Sequence, residues 1–153
     1  MTPLDSMPIG QVMNWMQNEI FVDTGAWIAI SDGSDRYHAA AKAIYPQLLS
    51  RHRLVTTNLV LSETYILLRK GLGANPALRF LSLVRSSPRI MVAYSTEELE
   101  QRAEGFLRKY GDHPLSYTDA VSFTLMEDRG ITKAFAFDRH FQIAGFQILP
   151  GNS

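Results

Sequence analysis

The chain contains no cysteine, so disulfides and thiolate metal sites are excluded, and a reducing cytosol is the compartment that such a sequence fits. It also has no apolar run approaching the roughly 20 residues that span a bilayer. Neither sign of charge is in excess, because 15 basic and 15 acidic side chains balance. Any basic surface for a polyanion must therefore be local. The first basic residue is Arg36, so the amino terminus lacks the positive region of a signal peptide. We expect a cytoplasmic protein with no membrane segment.

What the chain does contain indicates one folded domain. Its 153 residues are 46% hydrophobic and 20% charged, and a domain of that size buries roughly 70% of the surface that its unfolded chain exposes. We place an amino-terminal extension at residues 1–18 and the domain itself at residues 19–153. In the extension, Ile9, Val12, Met13 and Met16 recur at helical spacing, which indicates a short amphipathic helix.

From residue 19 onward, short apolar runs alternate with helical patterns, which is typical of a parallel α/β sheet. The runs predict strands at 19–22, 53–56, 89–94, 133–137 and 146–149, so we expect a central parallel sheet of four to five strands. A helix is predicted at 36–49, with Ala40, Ala43, Ile44 and Leu48 facing inward. Asn75-Pro76 predicts the start of a later helix. Gly71-Leu72-Gly73 follows a helix, so it is interpreted as a glycine helix end and not as a phosphate loop.

Four acids lie where elements begin or end. Asp23 closes the apolar run 20–22, and Asp138 closes the run 134–137. Asp119 stands at the start of a helical pattern, and Glu63 lies on the helix after the second strand. Because ligands of open parallel sheets bind outside the carboxyl ends of the strands, these acids can converge on one pocket. Oxygen ligands without paired bases favour a hard divalent cation, Mg²⁺ or Mn²⁺, and therefore metal-dependent phosphate chemistry.

Each acid also has a purely structural alternative. Asp23 and Asp138 could only cap the helices that follow them. Asp119 lies three residues after Ser116, so it could belong to a Ser-x-x-Asp capping box. For Asp119, capping a helix and binding a metal are compatible roles, since a helix amino terminus can orient a carboxylate ligand.

Glu63 has a different alternative. It shares a helix face with Leu59 and Leu67, four residues to either side. A carboxylate that faces a core must be paired or must bind a cation. The alternative partner for Glu63 is Arg69 or Arg53.

The local sequences around these acids resemble the PIN domain family. The similarity rests on Ile20-Phe21-Val22-Asp23-Thr24, Leu61-Ser62-Glu63-Thr64, Leu115-Ser116-Tyr117-Thr118-Asp119-Ala120 and Phe137-Asp138-Arg139-His140-Phe141. It implies a three-layer α/β/α fold. It also implies that Asp23, Glu63, Asp119 and Asp138 are the catalytic, metal-binding acids. A family hydroxyl near the site falls at Thr24 or Ser116.

At this length the resemblance is to the VapC-like ribonuclease toxins. It implies a Mg²⁺- or Mn²⁺-dependent endoribonuclease that acts on RNA, a small antitoxin protein as partner, and a homodimer.

The four histidines are too scattered for a zinc site, and Arg139 and His140 are better placed to steady a scissile phosphate or a neighbouring acid. The alternative from another class is a non-catalytic PIN-like module that binds RNA or protein.

Two other phosphate enzymes with an aspartate after the first strand fit less well. A haloacid-dehalogenase-like phosphatase needs a second aspartate two residues after the first, and Gly25 stands there. A phosphoacceptor receiver domain needs adjacent acids and a lysine at a later strand end, and the sequence shows neither.

Overall fold

A computed structural model describes residues 18–151. Five strands form one sheet: β1 (Glu19–Val22), β2 (Arg53–Thr57), β3 (Ile90–Ala93), β4 (Lys133–Phe135) and β5 (Gln147–Leu149). Seven helices are described with them: α1 (Thr24–Ser31), α2 (His38–Arg51), α3 (Asn58–Leu72), α4 (Ala74–Ser86), α5 (Glu97–Lys109), α6 (Tyr117–Arg129) and α7 (His140–Ile143). The predicted helix in residues 1–18 falls almost wholly outside the described residues.

The sheet is entirely parallel, in the order β3-β2-β1-β4-β5. Helices flank it, which confirms the predicted α/β/α fold with a parallel sheet of five strands. From the central strand β1, the chain builds outward to β2 and β3 on one side and to β4 and β5 on the other. The order therefore changes direction between β1 and β4, the place where a ligand crevice opens in such sheets.

The core lies on the central strands, since all four residues of β1 are buried. Trp27 on α1 is fully buried and packs edge-to-face on Phe80. Its Nε1 lies 3.3 Å from Thr56 Oγ1, and that hydroxyl donates to the Val22 carbonyl at 3.1 Å. This chain of contacts fixes the start of α1 against the carboxyl end of β1.

Several predicted boundaries need correction. Helix α4 begins at Ala74, so Asn75 and Pro76 lie inside its first turn and Gly73 is the cap. Gly73 also ends α3 with φ of 97°, which confirms the glycine helix end. Strand β4 ends at Phe135, so Asp138 stands beyond a short connection and not directly at the strand end.

The inward face predicted for α2 was partly wrong. Ala40 and Ala43 are exposed, whereas Ala41 and Leu48 are buried. Periodicity in an alanine-rich stretch predicts the buried face poorly. An alanine side chain is so small that the free energy of folding changes little whether it faces the core or the solvent. Among residues 18–151, no helix is long and apolar enough to cross a membrane.

Candidate active site

The four predicted acids line one cleft at the carboxyl ends of β1 and β4. The cleft encloses about 380 Å³. Its lining also includes Thr24, Ser116 and His140, three of the four other residues singled out from the sequence. The acids come from four separate segments of chain, so the fold and not the sequence brings them together. They are Asp23, Glu63, Asp119 and Asp138.

Asp23 is the most deeply placed of the acids. Its backbone N–H donates to the Phe135 carbonyl at 3.0 Å, which ties the end of β1 to β4. It stands at the N-cap position of α1, with extended backbone dihedrals, but its side chain makes no capping hydrogen bond. The capping alternative therefore leaves the carboxylate unexplained. Only 5% of the residue is exposed.

The surroundings of Asp23 disfavour its ionised form. Burial, together with the negative charges of Asp119, Asp138 and Glu63, raises the pKa of Asp23 from 3.8 to about 8. No arginine, lysine or histidine within residues 18–151 offsets this increase; only a backbone hydrogen bond from Thr24 opposes it.

Asp119 reaches the cleft through the amino terminus of α6. Ser116 and Asp119 form a complete capping box: Asp119 N donates to Ser116 Oγ at 3.0 Å, and Ser116 N donates to Asp119 Oδ2 at 3.3 Å. Burial raises the pKa of Asp119, and Asp138 adds to the increase, while Ser116 and His140 oppose it. Asp119 is therefore both a helix cap and a member of the acidic group, as the sequence allowed.

Asp138 and His140 face Asp119 from the turn that starts α7. Asp138 Oδ1 accepts a hydrogen bond from the His140 backbone N–H at 2.9 Å. The imidazole Nδ1 of His140 lies 3.1 Å from Asp138 Oδ1 and 3.4 Å from Asp119 Oδ2. Nδ1 is buried and has no well-aligned hydrogen-bond partner within residues 18–151. The contact between the imidazole and the two carboxylates is therefore close without being a directed hydrogen bond.

Glu63 is half-buried on α3 and faces the cleft, not the core. The buried face of α3 consists of Val60, Leu61, Thr64 and Leu68. Leu67, predicted to share a core face with Glu63, is 45% exposed and lines the cleft. Over the described part of the chain, Glu63 forms no ion pair, so the alternative of an arginine partner is not realised.

Arg53, one of the two arginines considered as a partner for Glu63, lies instead beside Glu19, at the opposite end of β1 from Asp23. Arg129 donates to Glu19 through Nε at 3.0 Å and Nη2 at 2.7 Å, and Arg53 Nη1 lies 3.9 Å from Glu19. Glu19 is as buried as Asp23. Buried acids thus stand at the start of β1 and directly after its end, and of these two only Glu19, away from the cleft, has protein cations beside it.

Among the hydroxyls, Thr24 Oγ1 is buried without a hydrogen-bond partner in the described structure, whereas Ser116 Oγ is used by the helix cap. Arg139 is exposed and does not line the acidic cleft; it lines a neighbouring cavity with His140. Sequence reasoning missed Ile28 and Pro114, which complete the cleft wall. No local signal distinguishes these apolar residues from core residues.

The side chains of the cleft fit a hard divalent cation. Carboxylate oxygens dominate the donors, which suits Mg²⁺ or Mn²⁺. Among described residues, Asp119, Asp138 and His140 offer ligand atoms that all lie within 4.8 Å of one another. The unpartnered Thr24 hydroxyl and the raised pKa of Asp23 are both expected of groups arranged for a cation.

Known proteins resemble this chain in sequence and in fold. The PIN domain family model matches residues 20–147. The 23S rRNA-specific endonuclease VapC20 of Mycobacterium tuberculosis, from strains CDC 1551 / Oshkosh and ATCC 25618 / H37Rv, is 35% identical over 127 residues, which cover 83% of this chain and 95% of the relative. A crystal structure of M. tuberculosis VapC20, described as a sarcin-ricin loop cleaving toxin, superposes with a TM-score of 0.76 at 35% identity and the same coverage.

Proposed function

The chain belongs to the PIN domain family, and we propose that it is a divalent-metal-dependent endoribonuclease, the toxin of a type II toxin–antitoxin pair. The single observation that carries the metal-dependent chemistry is the contrast along β1. Glu19, on the side away from the cleft, is paired by Arg129, but Asp23 lies buried among three more acids. A buried carboxylate is protonated, paired or bound to a metal, and no protein cation pairs with Asp23 within residues 18–151. The acids of the cleft would therefore be ionised together only when a cation from solution joins them.

In this proposal, Asp23, Asp119 and Asp138 hold the cation, and Glu63 is a further ligand or a base that orients water. When bound there, Mg²⁺ or Mn²⁺ would lower the pKa of a water molecule and would offset charge on the phosphate. The cap formed by Ser116 fixes the direction of the Asp119 carboxylate. Arg139, exposed beside Asp138, is available to contact a phosphate of the bound strand. In-line hydrolysis at phosphorus leaves a 3′-hydroxyl and a 5′-phosphate.

The substrate proposed is an unpaired stretch of RNA. A-form helices hide their base edges in a deep, narrow groove, so a protein of this size reads loops and single strands more easily. The relatives named for 23S rRNA and for the sarcin-ricin loop support a ribosomal RNA loop as the first substrate to test.

Substitution of the acids tests the activity. Asp23→Asn, Glu63→Gln, Asp119→Asn and Asp138→Asn should each remove most RNA cleavage in Mg²⁺ buffer, about a hundredfold or more, because ligands of one site fail together. Asp128→Asn is the matched control, since Asp128 lies on the same helix as Asp119 but pairs with Arg102 at the surface. Chelation with EDTA should abolish cleavage, and added Mn²⁺ should restore it. Near wild-type cleavage by two of the four amide variants would contradict the assignment.

The partner proposed is a small antitoxin that covers the cleft. Uncompensated carboxylates attract an arginine, whose planar guanidinium pairs with a carboxylate through two hydrogen bonds. Co-expression with the protein encoded beside this chain should give a stable complex that does not cleave RNA. A neighbour that neither binds nor inhibits would remove the support for a toxin–antitoxin pair, and a chain that binds RNA without cutting it would be a binding module.

A further inference from the structure

Beside the acidic cleft, three side chains form a layered arrangement that the proposed chemistry does not use. The rings of Tyr37 and Phe137 are parallel, with centroids 4.3 Å apart and planes inclined by 5°. The guanidinium carbon of Arg36 lies 4.6 Å from the centre of the Tyr37 ring. Rings so close leave no room between them, so the guanidinium covers the opposite face of Tyr37. We call this layered set the Arg36–Tyr37–Phe137 stack.

The stack is attached directly to the site. Phe137 immediately precedes Asp138 and is half-buried, and it packs edge-to-face on Phe135 of β4 at 6.1 Å. The backbone of Phe137 is therefore bonded directly to that of an acid of the cleft. The other end of the stack is Arg36, which is exposed.

The loop that carries Arg36 and Tyr37 is held in place by its own acids. Asp35 accepts from the Tyr37 backbone N–H at 2.9 Å, and Asp32 accepts from both the N–H and the hydroxyl of Ser34 at 2.9 and 2.6 Å. At the end of the loop, the His38 imidazole Nδ1 lies 2.7 Å from the Ala29 carbonyl. Arg36 forms no ion pair with any residue from 18 to 151, so its guanidinium keeps its donors and its outer face available.

We propose that the Arg36–Tyr37–Phe137 stack is a nucleotide-binding subsite, in which an unpaired base that flanks the scissile phosphodiester stacks on the outer face of the Arg36 guanidinium. Proteins that bind single-stranded RNA stack its bases on aromatic rings and on guanidinium planes. A guanidinium already lying over a ring loses less conformational freedom when a base arrives. This inference rests on the proposed ribonuclease function, and it adds the element that selects an unpaired nucleotide.

Binding of a short fluorescein-labelled oligoadenylate tests the subsite, measured by fluorescence anisotropy in Mg²⁺ buffer. All variants carry Asp119→Asn, so that the probe is not cut. Arg36→Ala should weaken binding about tenfold, because a base that stacks on a flat side chain makes a large share of the contact with a short single strand. The matched control is Arg85→Ala, which removes a guanidinium 5.7 Å from the Tyr94 ring, beside the outer strand β3 and outside the cleft lining. That variant should bind like the Asp119→Asn protein.

Two more variants separate stacking from charge. Arg36→Lys keeps the charge but has no flat face, so it should bind as weakly as Arg36→Ala. Arg36→Trp keeps a flat face without charge and should retain most of the affinity. Lysine binding like arginine, with tryptophan binding like alanine, would indicate a phosphate contact and overturn the stacking assignment.

The remaining outcomes separate the subsite from the proposed function. If the unmodified protein cleaves RNA but the Arg36 variants bind oligoadenylate like the control, the subsite alone is wrong. The same holds if that protein cleaves RNA and the Asp119→Asn background does not bind the probe. If the unmodified protein neither cleaves nor binds RNA, the ribonuclease proposal fails and the subsite fails with it.

Discussion

Asp23 is held in surroundings where its ionised form is unfavourable, although Glu19 at the other end of β1 shows that the fold can neutralise a buried acid. Glu19, at the start of β1, accepts two hydrogen bonds from Arg129, whereas Asp23, directly after β1, is surrounded by Asp119, Asp138 and Glu63. Removing one partner of a buried ion pair is costly, so an acid without a partner lowers stability wherever it is ionised. Such opposition between stability and function is common at active sites.

The raised pKa of Asp23 gives the stability of the metal-free protein a definite dependence on pH. Unfolded Asp23 titrates near 3.8 and folded Asp23 near 8. Between those values the folded state binds more protons than the unfolded state, so the free energy of unfolding decreases as the pH rises. For one proton the slope is at most about 1.4 kcal/mol per pH unit. Urea unfolding in EDTA should therefore show lower stability at about pH 8 than at about pH 5.

Asp23→Asn is the variant that isolates this effect. It removes the titrating group and keeps the shape of the side chain, so the decrease in stability over the same pH interval should become smaller. At the upper end of the interval, the metal-free variant should be at least as stable as the unmodified protein. Equal slopes for the two proteins would show that Asp23 does not titrate in this range.

At the scale of single elements, a short capping motif predicted the local structure of α6 correctly, whereas the spacing of apolar residues on α3 did not predict the surroundings of Glu63. The Ser-x-x-Asp pattern at Ser116 identified a capping box, because both of its hydrogen bonds lie within four residues of chain. The pattern around Glu63 indicated a core face, but that face borders the cleft. Helix periodicity groups residues on one side of a helix, and only the neighbouring elements decide whether that side meets protein or solvent.

A substitution at Ser116, the cap of α6, tests whether the cap serves only helix stability or also the orientation of Asp119. Ser116→Ala removes the acceptor for the Asp119 N–H, which should cost about 1 kcal/mol of stability. It should also reduce RNA cleavage, because the Asp119 carboxylate loses the arrangement that orients it. Thermal unfolding and initial cleavage rates measure the two effects.

Thr96→Ala is the control for that experiment. The Thr96 hydroxyl caps α5 by accepting from the Leu99 N–H at 3.1 Å, but Thr96 does not line the cleft. It should cost a similar amount of stability and leave cleavage nearly unchanged. A parallel loss of cleavage in both variants would show that the Ser116 effect is only a loss of stability.

At the scale of the whole molecule, the alternation of strands and helices predicted the parallel sheet, but it could not give the strand order. Parallel sheets of the same five strands are compatible with several orders, and the acids meet because β4 inserts beside β1. The Arg36–Tyr37–Phe137 stack was likewise hidden, since Tyr37 and Phe137 are far apart in the sequence and pair only through that topology. The four acids were selected by their positions at the ends and starts of predicted elements, and the family resemblance added their predicted role as metal-binding, catalytic residues.

The distribution of apolar surface over the whole molecule supports the homodimer that the family resemblance implies. Large apolar side chains are exposed on α3 and α4, with Ile66 58% and Leu78 52% exposed. Apolar side chains exposed together on neighbouring helices are typical of surfaces that bind protein. We therefore expect self-association through the α3–α4 pair, and light scattering should give the mass of two chains at micromolar concentration.

Leu78→Glu should shift that equilibrium to single chains, because dimerisation would bury an unpaired carboxylate at a cost of several kcal/mol. The control is Tyr94→Glu, which places the same charge on a residue that is 58% exposed just after the outer strand β3. It should leave the dimer intact. Dissociation by Tyr94→Glu and not by Leu78→Glu would move the interface to the outer strand. A mass of one chain for the unmodified protein would exclude the dimer, and the cleft of each chain would then have to act alone.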